Sequence, residues 1–208
     1  SIHESLPEVH DLREEFFQHL DNMAGEGEEE GLILPVDQHF NVKGVGLVAI
    51  GYVQTGSVNK HDEVLILPAN EKGVVRSLQV MDDDVDVAKA GDRVGVALRN
   101  LREEALHRGC MITHPDSEVM IRHDKSSLKI KVAPFQKRVL QVDDVIHAAV
   151  DLQFVVGRVT HVEGTELGVD WDSPLWVRKE SLPSILITQL DATPVSYTHL
   201  TLPTTLSV

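Results

Sequence analysis

At 208 residues, with ordinary apolar (42%) and charged (25%) fractions, the chain is long enough for one or two domains with real cores. A formal charge of -14 argues against a blanket electrostatic grip on nucleic acid: DNA is not expected as a partner, and any RNA contact must come from local basic positions on an acidic body. No stretch approaches the roughly 18 consecutive apolar residues of a membrane span, no secretory signal opens the chain, and the single Cys110 leaves no internal disulfide, which suits a reducing cytoplasm.

Residues 1–23 read as an amphipathic helix, because Leu6, Val9, Leu12, Phe16, Phe17 and Leu20 recur at helical spacing between Pro7 and Gly25. Alone it has nothing to bury its stripe against, so it is expected to end a domain outside this chain, and the acidic, glycine-bearing residues up to 31 read as a linker. From Leu32 the pattern changes to short Val-, Leu- and Ile-rich runs at 46–53, 63–67, 73–81 and 92–98, separated by glycine turns. That spacing predicts a closed antiparallel barrel over 32–113 rather than βαβ units. Gly44 and Gly46 allow a tight bend between strands, and Gly51 and Gly56 flank a short hairpin-like reversal.

Residues 114–126 are polar and read as a linker. A second strand-rich unit follows over 127–191, where Leu128, Ile130 and Val132 alternate with Lys129 and Lys131, with further strand candidates at 145–152, 154–162, 166–169 and 184–190. Fold class is therefore all-β: two consecutive small antiparallel barrels preceded by one helix. The last segment, 192–208, is rich in Thr, Leu and Pro, resembles translated sequencing-adapter read-through, and is expected to lie outside the fold as a non-native tail.

The informative residues are Val36-Asp37-Gln38-His39-Phe40-Asn41-Val42-Lys43-Gly44-Val45-Gly46, Gly51 to Gly56, Val75 to Gln79, Ala90-Gly91-Asp92-Arg93-Val94-Gly95 and Arg108-Gly109. In order and spacing they resemble domain II of the elongation factor Tu superfamily, and within it the Val-Asp-x-x-Phe-x-Val-Lys-Gly pattern is most like the selenocysteine-specific elongation factors. The unit from 127 falls where that family has its domain III, on a weaker match. The resemblance implies a β-barrel that holds the aminoacyl end of tRNA, in a parent protein that binds GTP and Mg²⁺ through a domain missing here and meets the ribosome. Gln79 and Met81 fall where the family contacts the terminal adenosine. Asp37 and Arg93 match positions that line the amino-acid pocket of the selenocysteine branch, where Arg93 could hold Asp37 in place. Gln38 departs from the arginine of that branch, which removes a positive charge from a pocket suited to a selenolate. Arg108 matches an arginine that contacts the tRNA 5′ end.

No catalytic residue, cofactor or metal site is expected in this chain. Asn59-Lys60-His61-Asp62 fits a guanine-specificity pattern, but it sits in a turn, and no Gly-x4-Gly-Lys-Ser/Thr phosphate loop occurs. Cys110, His107, His114 and His123 match no closed zinc spacing. Lys125, Lys129, Lys131, Lys137 and Arg138 form a local basic cluster that could touch RNA phosphates if they share a face. The expected function is aminoacyl-tRNA binding within a GTP-dependent elongation factor. The alternative is a non-enzymatic interaction protein that kept the barrels while its nucleotide domain degenerated.

Overall fold

The computed structural model describes residues 13, 14, 17, 31–133, 138–180, 184–189 and 196–201, the last group for its backbone only. The first unit runs through β1 (Leu34–Val42), β2 (Gly46–Tyr52), β3 (Ser57–Asn59), β4 (Glu63–Leu67), β5 (Glu71–Val80), β6 (Asp83–Val85), β7 (Val87–Lys89), β8 (Arg93–Arg99) and β9 (Met111–Thr113). Ladders run β4-β9-β1-β2-β8-β5, and a β4–β5 pairing closes the ring, with β6 appended to β5 and β3-β7 a separate ribbon. Alternation explains which residues turn inward. Leu47, Ala49 and Gly51 of β2 stand opposite Leu98, Val96 and Val94 of β8, and this inner face packs with Val36, Ile66, Val75, Leu78 and Ile112 into one core.

Two glycines carry specific requirements. Gly44 makes the β1–β2 turn at φ +85 in open space. Gly51 is a matter of contact rather than φ: a Cβ there would lie 2.1 Å from the Pro35 carbonyl oxygen. Because β1 crosses Gly51 so closely, its register slips between Val36 and Gln38, a β-bulge at Asp37. The expected reversal between Gly51 and Gly56 is not a hairpin, since β2 pairs with β1 and β8 while β3 pairs with β7. Residues 53–56 instead carry the chain across the barrel end.

The second unit contains β10 (Met120–Lys131), β11 (Val145–Val150), β12 (Gln153–Glu163), β13 (Glu166–Arg178), β14 (Ile185–Gln189) and β15 (Ser196–Thr201), closed in the order β10-β13-β12-β11-β14-β15. Its core holds Leu128, Ile146, Val159, Leu167, Trp171, Leu175 and Ile187. Three differences from the sequence reading appear. β10 begins at Met120, inside the expected linker, because its polar stretch is the outer side of a strand paired along β13. β13 runs on to Arg178 through Asp172, Ser173 and Pro174, which disguise it. The tail expected to lie outside the fold supplies β15, whose backbone pairs with β14 and β10. Those two edges would otherwise be open, and an edge accepts extended backbone with little regard to side chain. The expected N-terminal helix lies outside the described residues apart from Arg13, Glu14 and Phe17, which take helical backbone but are too few to establish an element.

The barrels meet along a third apolar cluster, in which Ile33, Leu67 and Met111 of the first unit pack with Met120, Val119 and Trp176 of the second. Cys110 is fully buried beside it, and burial pushes its thiol up to about 11.

Gly51→Ala is expected to cost about 3 kcal/mol or more, since the clash is with backbone, whereas Gly44→Ala should cost about 1–2 kcal/mol for its conformation alone. Urea unfolding of both variants checks the order. Cys110 should resist alkylation at pH 8 in the native chain and react fully once the chain is unfolded.

Candidate functional site

The outer face of the first barrel carries side chains that its core does not use. Across the ladders, Gln38 of β1 faces Ile50 of β2, Ile50 faces Gly95 of β8, and Gly95 faces Gln79 of β5. These residues form one outward row over four strands. The row above it sets Phe40, Val48, Ala97 and Ser77 opposite one another, with Phe40 exposed. On the other side Tyr52 faces Arg93. The Arg93 guanidinium lies 6.0 Å from the Tyr52 ring centroid, a cation–π contact that holds the arginine against the sheet. Glycine at 95 leaves the middle of the row bare, so a flat group could approach the backbone there.

Each predicted site residue finds a definite place. Gln79 lies in the row and donates its amide to Asp84 at 3.0 Å. Met81 is 92% exposed at the tip of the β5–β6 turn, where it and Asp82 both adopt left-handed backbone, φ 51 and 68. Two non-glycine residues in that region are uncommon, and nothing holds the Met81 side chain. Asp37, on the bulge, is half-buried and meets Arg108 at 3.4 Å. Arg108 projects from a turn bound to β1, with the Gly109 amide donating to the Val36 carbonyl (2.8 Å) and the Val36 amide to the Cys110 carbonyl (2.9 Å).

Asp37 is therefore paired with Arg108 rather than with Arg93, contrary to the expected arrangement. The register supplies the reason: β2 separates β1 from β8, Tyr52 occupies Arg93, and the 107–110 turn lies directly against the bulge. Ile50, Tyr52 and Gly95 were given no site role from the sequence. The signal was present, because inward Leu47, Ala49 and Gly51 force Tyr52 outward.

Other candidate groups do less. Asp62 Oδ2 accepts from the Asn59 amide at 2.7 Å and from Asn59 Nδ2 at 3.1 Å, so the pattern that resembles guanine recognition is a turn cap with its carboxylate already used. With no phosphate-loop motif in the sequence, these residues do not fit a guanine nucleotide. Among the described residues no group of three or more His, Cys, Asp or Glu is placed to hold a metal. A cavity of about 610 Å³ at the opposite end of β1 and β8 is lined by Asn41, Arg76, Leu98, Arg99 and Glu103. Its Arg76 is committed to the Gly44 and Val45 carbonyls. The basic cluster is dispersed: Lys125 pairs with Asp170 at 2.8 Å, Lys129 and Lys131 share the outer face of β10, Arg138 pairs with Asp144, and Lys137 lies outside the described residues.

Residues 46–113 match the family model for elongation factor Tu domain 2. Over those residues, most of the first barrel, the chain is similar to an elongation factor Tu domain 2. It is similar to the selenocysteine-specific elongation factor of Methanocaldococcus jannaschii, 38% identical over 121 residues, which cover 58% of this chain and 26% of that protein. It is also similar to an elongation factor 1-alpha of Thermoplasma volcanium, 33% identical over 86 residues, 41% of this chain and 20% of that one. The crystal structure of translation elongation factor SELB from Methanococcus maripaludis in its apo form superposes with a TM-score of 0.74 at 26% identity, covering 96% of this chain and 47% of that chain. The chain thus spans less than half the length of each of these relatives, and the solved structure extends the likeness from the first barrel to the second.

Because the outer-face residues contribute little to the core, Gln79→Ala and Arg93→Ala should change unfolding free energy by no more than about 0.5 kcal/mol. Asp37→Ala should cost no more than about 1 kcal/mol, as for an exposed ion pair. A loss above about 2 kcal/mol in urea titrations for any of the three would give that residue a structural role.

Proposed function

We propose that the outer face of β1, β2, β8 and β5 binds the aminoacyl end of tRNA, within a GTP-dependent elongation factor of which this chain supplies the barrels. The observation that carries this reading is the cross-strand row of Gln38, Ile50, Gly95 and Gln79, flanked by Arg93 on Tyr52 and by Arg108 on Asp37. It gives a terminal adenosine an apolar floor at Ile50 and an amide at Gln79 that can hydrogen-bond a sugar hydroxyl. The exposed thioether of Met81 offers a soft apolar surface to the base. The two-residue turn at Met81 and Asp82, left-handed at both positions as such a hairpin requires, projects that side chain at the edge of the row.

Charge distribution divides the roles. An esterified amino acid carries an ammonium group, for which Asp37 and Asp84 are acceptors on either side of the row. Arg93, held flat on Tyr52, meets an anionic or polar side chain from above. Arg108 is 70% exposed and reaches a backbone phosphate while Asp37 steadies it. Gln38 at the β1 end of the row is neutral, so this face attracts a selenolate less than one bearing arginine there. The partners are then aminoacyl-tRNA and, through the parent protein, the ribosome, in the cytoplasm.

The test uses the full-length factor with matched aminoacylated and deacylated tRNA. Arg93→Ala should weaken the aminoacylated form roughly tenfold and the deacylated form much less, as for loss of one charge-assisted contact. Arg108→Ala should weaken both forms equally, because a phosphate contact does not sense the amino acid. Equal losses in Arg93→Ala would remove that residue from the amino-acid pocket. A full-length chain without a phosphate loop upstream would favour the alternative, an interaction protein that retains the barrels.

A further inference from the structure

The tip of the β11–β12 hairpin, in the second barrel, reaches the first barrel. Its two turn residues, Asp151 and Leu152, both take left-handed backbone, φ 44 and 66, as a two-residue turn between the paired Val150 and Gln153 requires. Asp151 is held from its own barrel by Arg178 and from the other by Gln54. Asp151 is 8% exposed and accepts two hydrogen bonds from Arg178, at 3.2 Å from Nε and 2.6 Å from a terminal nitrogen. The same carboxylate accepts from Gln54 of the first barrel at 3.3 Å, and Arg178 donates back to the Gln54 carbonyl oxygen. The three side chains form a closed, part-buried polar clamp across the joint, in which charge-assisted bonds fix the geometry. Gln153 completes the support, donating to the Trp176 carbonyl at 2.6 Å and accepting from its amide at 3.0 Å.

The clamp presses the hairpin backbone onto the turn that carries Arg108. A Cβ at Gly109 would stand 2.6 Å from the Leu152 carbonyl oxygen and 2.9 Å from the Gln153 Cα, and Gly109 itself sits at φ +87. Gly109 and Cys110 are bonded to Val36, next to Asp37, so the path from Asp151 to the Arg108–Asp37 pair is continuous packing and hydrogen bonding with no gap.

We infer that the second barrel completes the ligand-binding rim of the first: Asp151, Arg178 and Gln54 are positioning residues that hold the 107–110 turn, and through it Arg108, in register with Asp37. The assignment of Arg108 to a phosphate rests on the function proposed above; the mechanical link does not. It makes an energetic prediction that proximity alone does not. Asp151 belongs to the second barrel, and on this assignment its effect on binding must pass through Arg108.

Two measurements test it, and they fail separately. In the full-length factor, Asp151→Asn should weaken deacylated tRNA about fivefold when Arg108 is present and not at all in the Arg108→Ala background. An equal loss in both backgrounds overturns the link. In the present chain, without RNA, Asp151→Asn should raise the native alkylation rate of Cys110 severalfold and shift the Arg108 Nε–H resonance. No change in either signal also overturns it. If Asp151→Asn does not fold, Gln54→Ala removes only the first barrel's side of the clamp and is held to the same outcomes. If no tRNA binds even the unaltered factor, the tRNA reading fails and the second measurement alone decides the link.

Discussion

The close crossing of β1 over Gly51 is the constraint on which the binding face depends. A carbonyl oxygen 2.1 Å from the place of a Cβ leaves glycine as the residue compatible with that register. The crossing forces the slip between Val36 and Gln38, and the slip turns Asp37 away from the strand's regular alternation toward the 107–110 turn. Without it, Asp37 would follow the inward sequence of Val36 and its neighbours or the outward row of Gln38, and Arg108 would lose its partner. The bulge is thus the point where a barrel that merely closes becomes a barrel with a shaped edge.

The second barrel is tied to the first by two kinds of force with different reach. The apolar cluster of Ile33, Leu67, Met111, Met120 and Trp176 supplies nondirectional burial and fixes which faces meet. The Asp151–Arg178 pair, within the second barrel, is bidentate and tolerates little rotation, and it presents both groups to Gln54 of the first barrel, whose two hydrogen bonds to them supply direction across the joint. Together they hold the hairpin tip at Asp151 and Leu152 against the 107–110 turn of the first barrel. The binding face belongs to the first barrel by residue count, but its phosphate-facing edge is set by contacts from both.

Much of this was legible in the sequence, for reasons that differ by region. The first barrel reads clearly because its strands alternate one buried face with one exposed face, as in Leu47, Ala49 and Gly51, and because glycines mark its bends. The positions of Gln79, Arg93 and Arg108 followed from family resemblance, and the register puts Gln38 and Gln79 in one row with Arg93 beside it. Pairing between side chains was not legible. Arg93 met Tyr52 and Asp37 met Arg108 because strand order, which no local pattern encodes, put β2 between β1 and β8. The second barrel was harder: Leu128, Ile130 and the run at 166–169 announced strands, but the charged stretch at 122–125 and the Asp172-Ser173-Pro174 interruption hid how far β10 and β13 extend. The final strand, Ser196–Thr201, has no charge or period to suggest a core role, yet its backbone fills the gap between two edges.

The central claim is that one face of the first barrel is the ligand-binding face. Amide chemical-shift mapping of the ¹⁵N-labelled chain with a 3′-aminoacyl-adenosine analogue tests it most directly. Shifts are expected to concentrate at Gln38, Ile50, Gly95 and Gln79 and to spread to Tyr52 and Arg93, with little change in the second barrel beyond Leu152. Shifts centred instead on Asn41, Arg76 and Arg99, at the opposite end of the same strands, would contradict it.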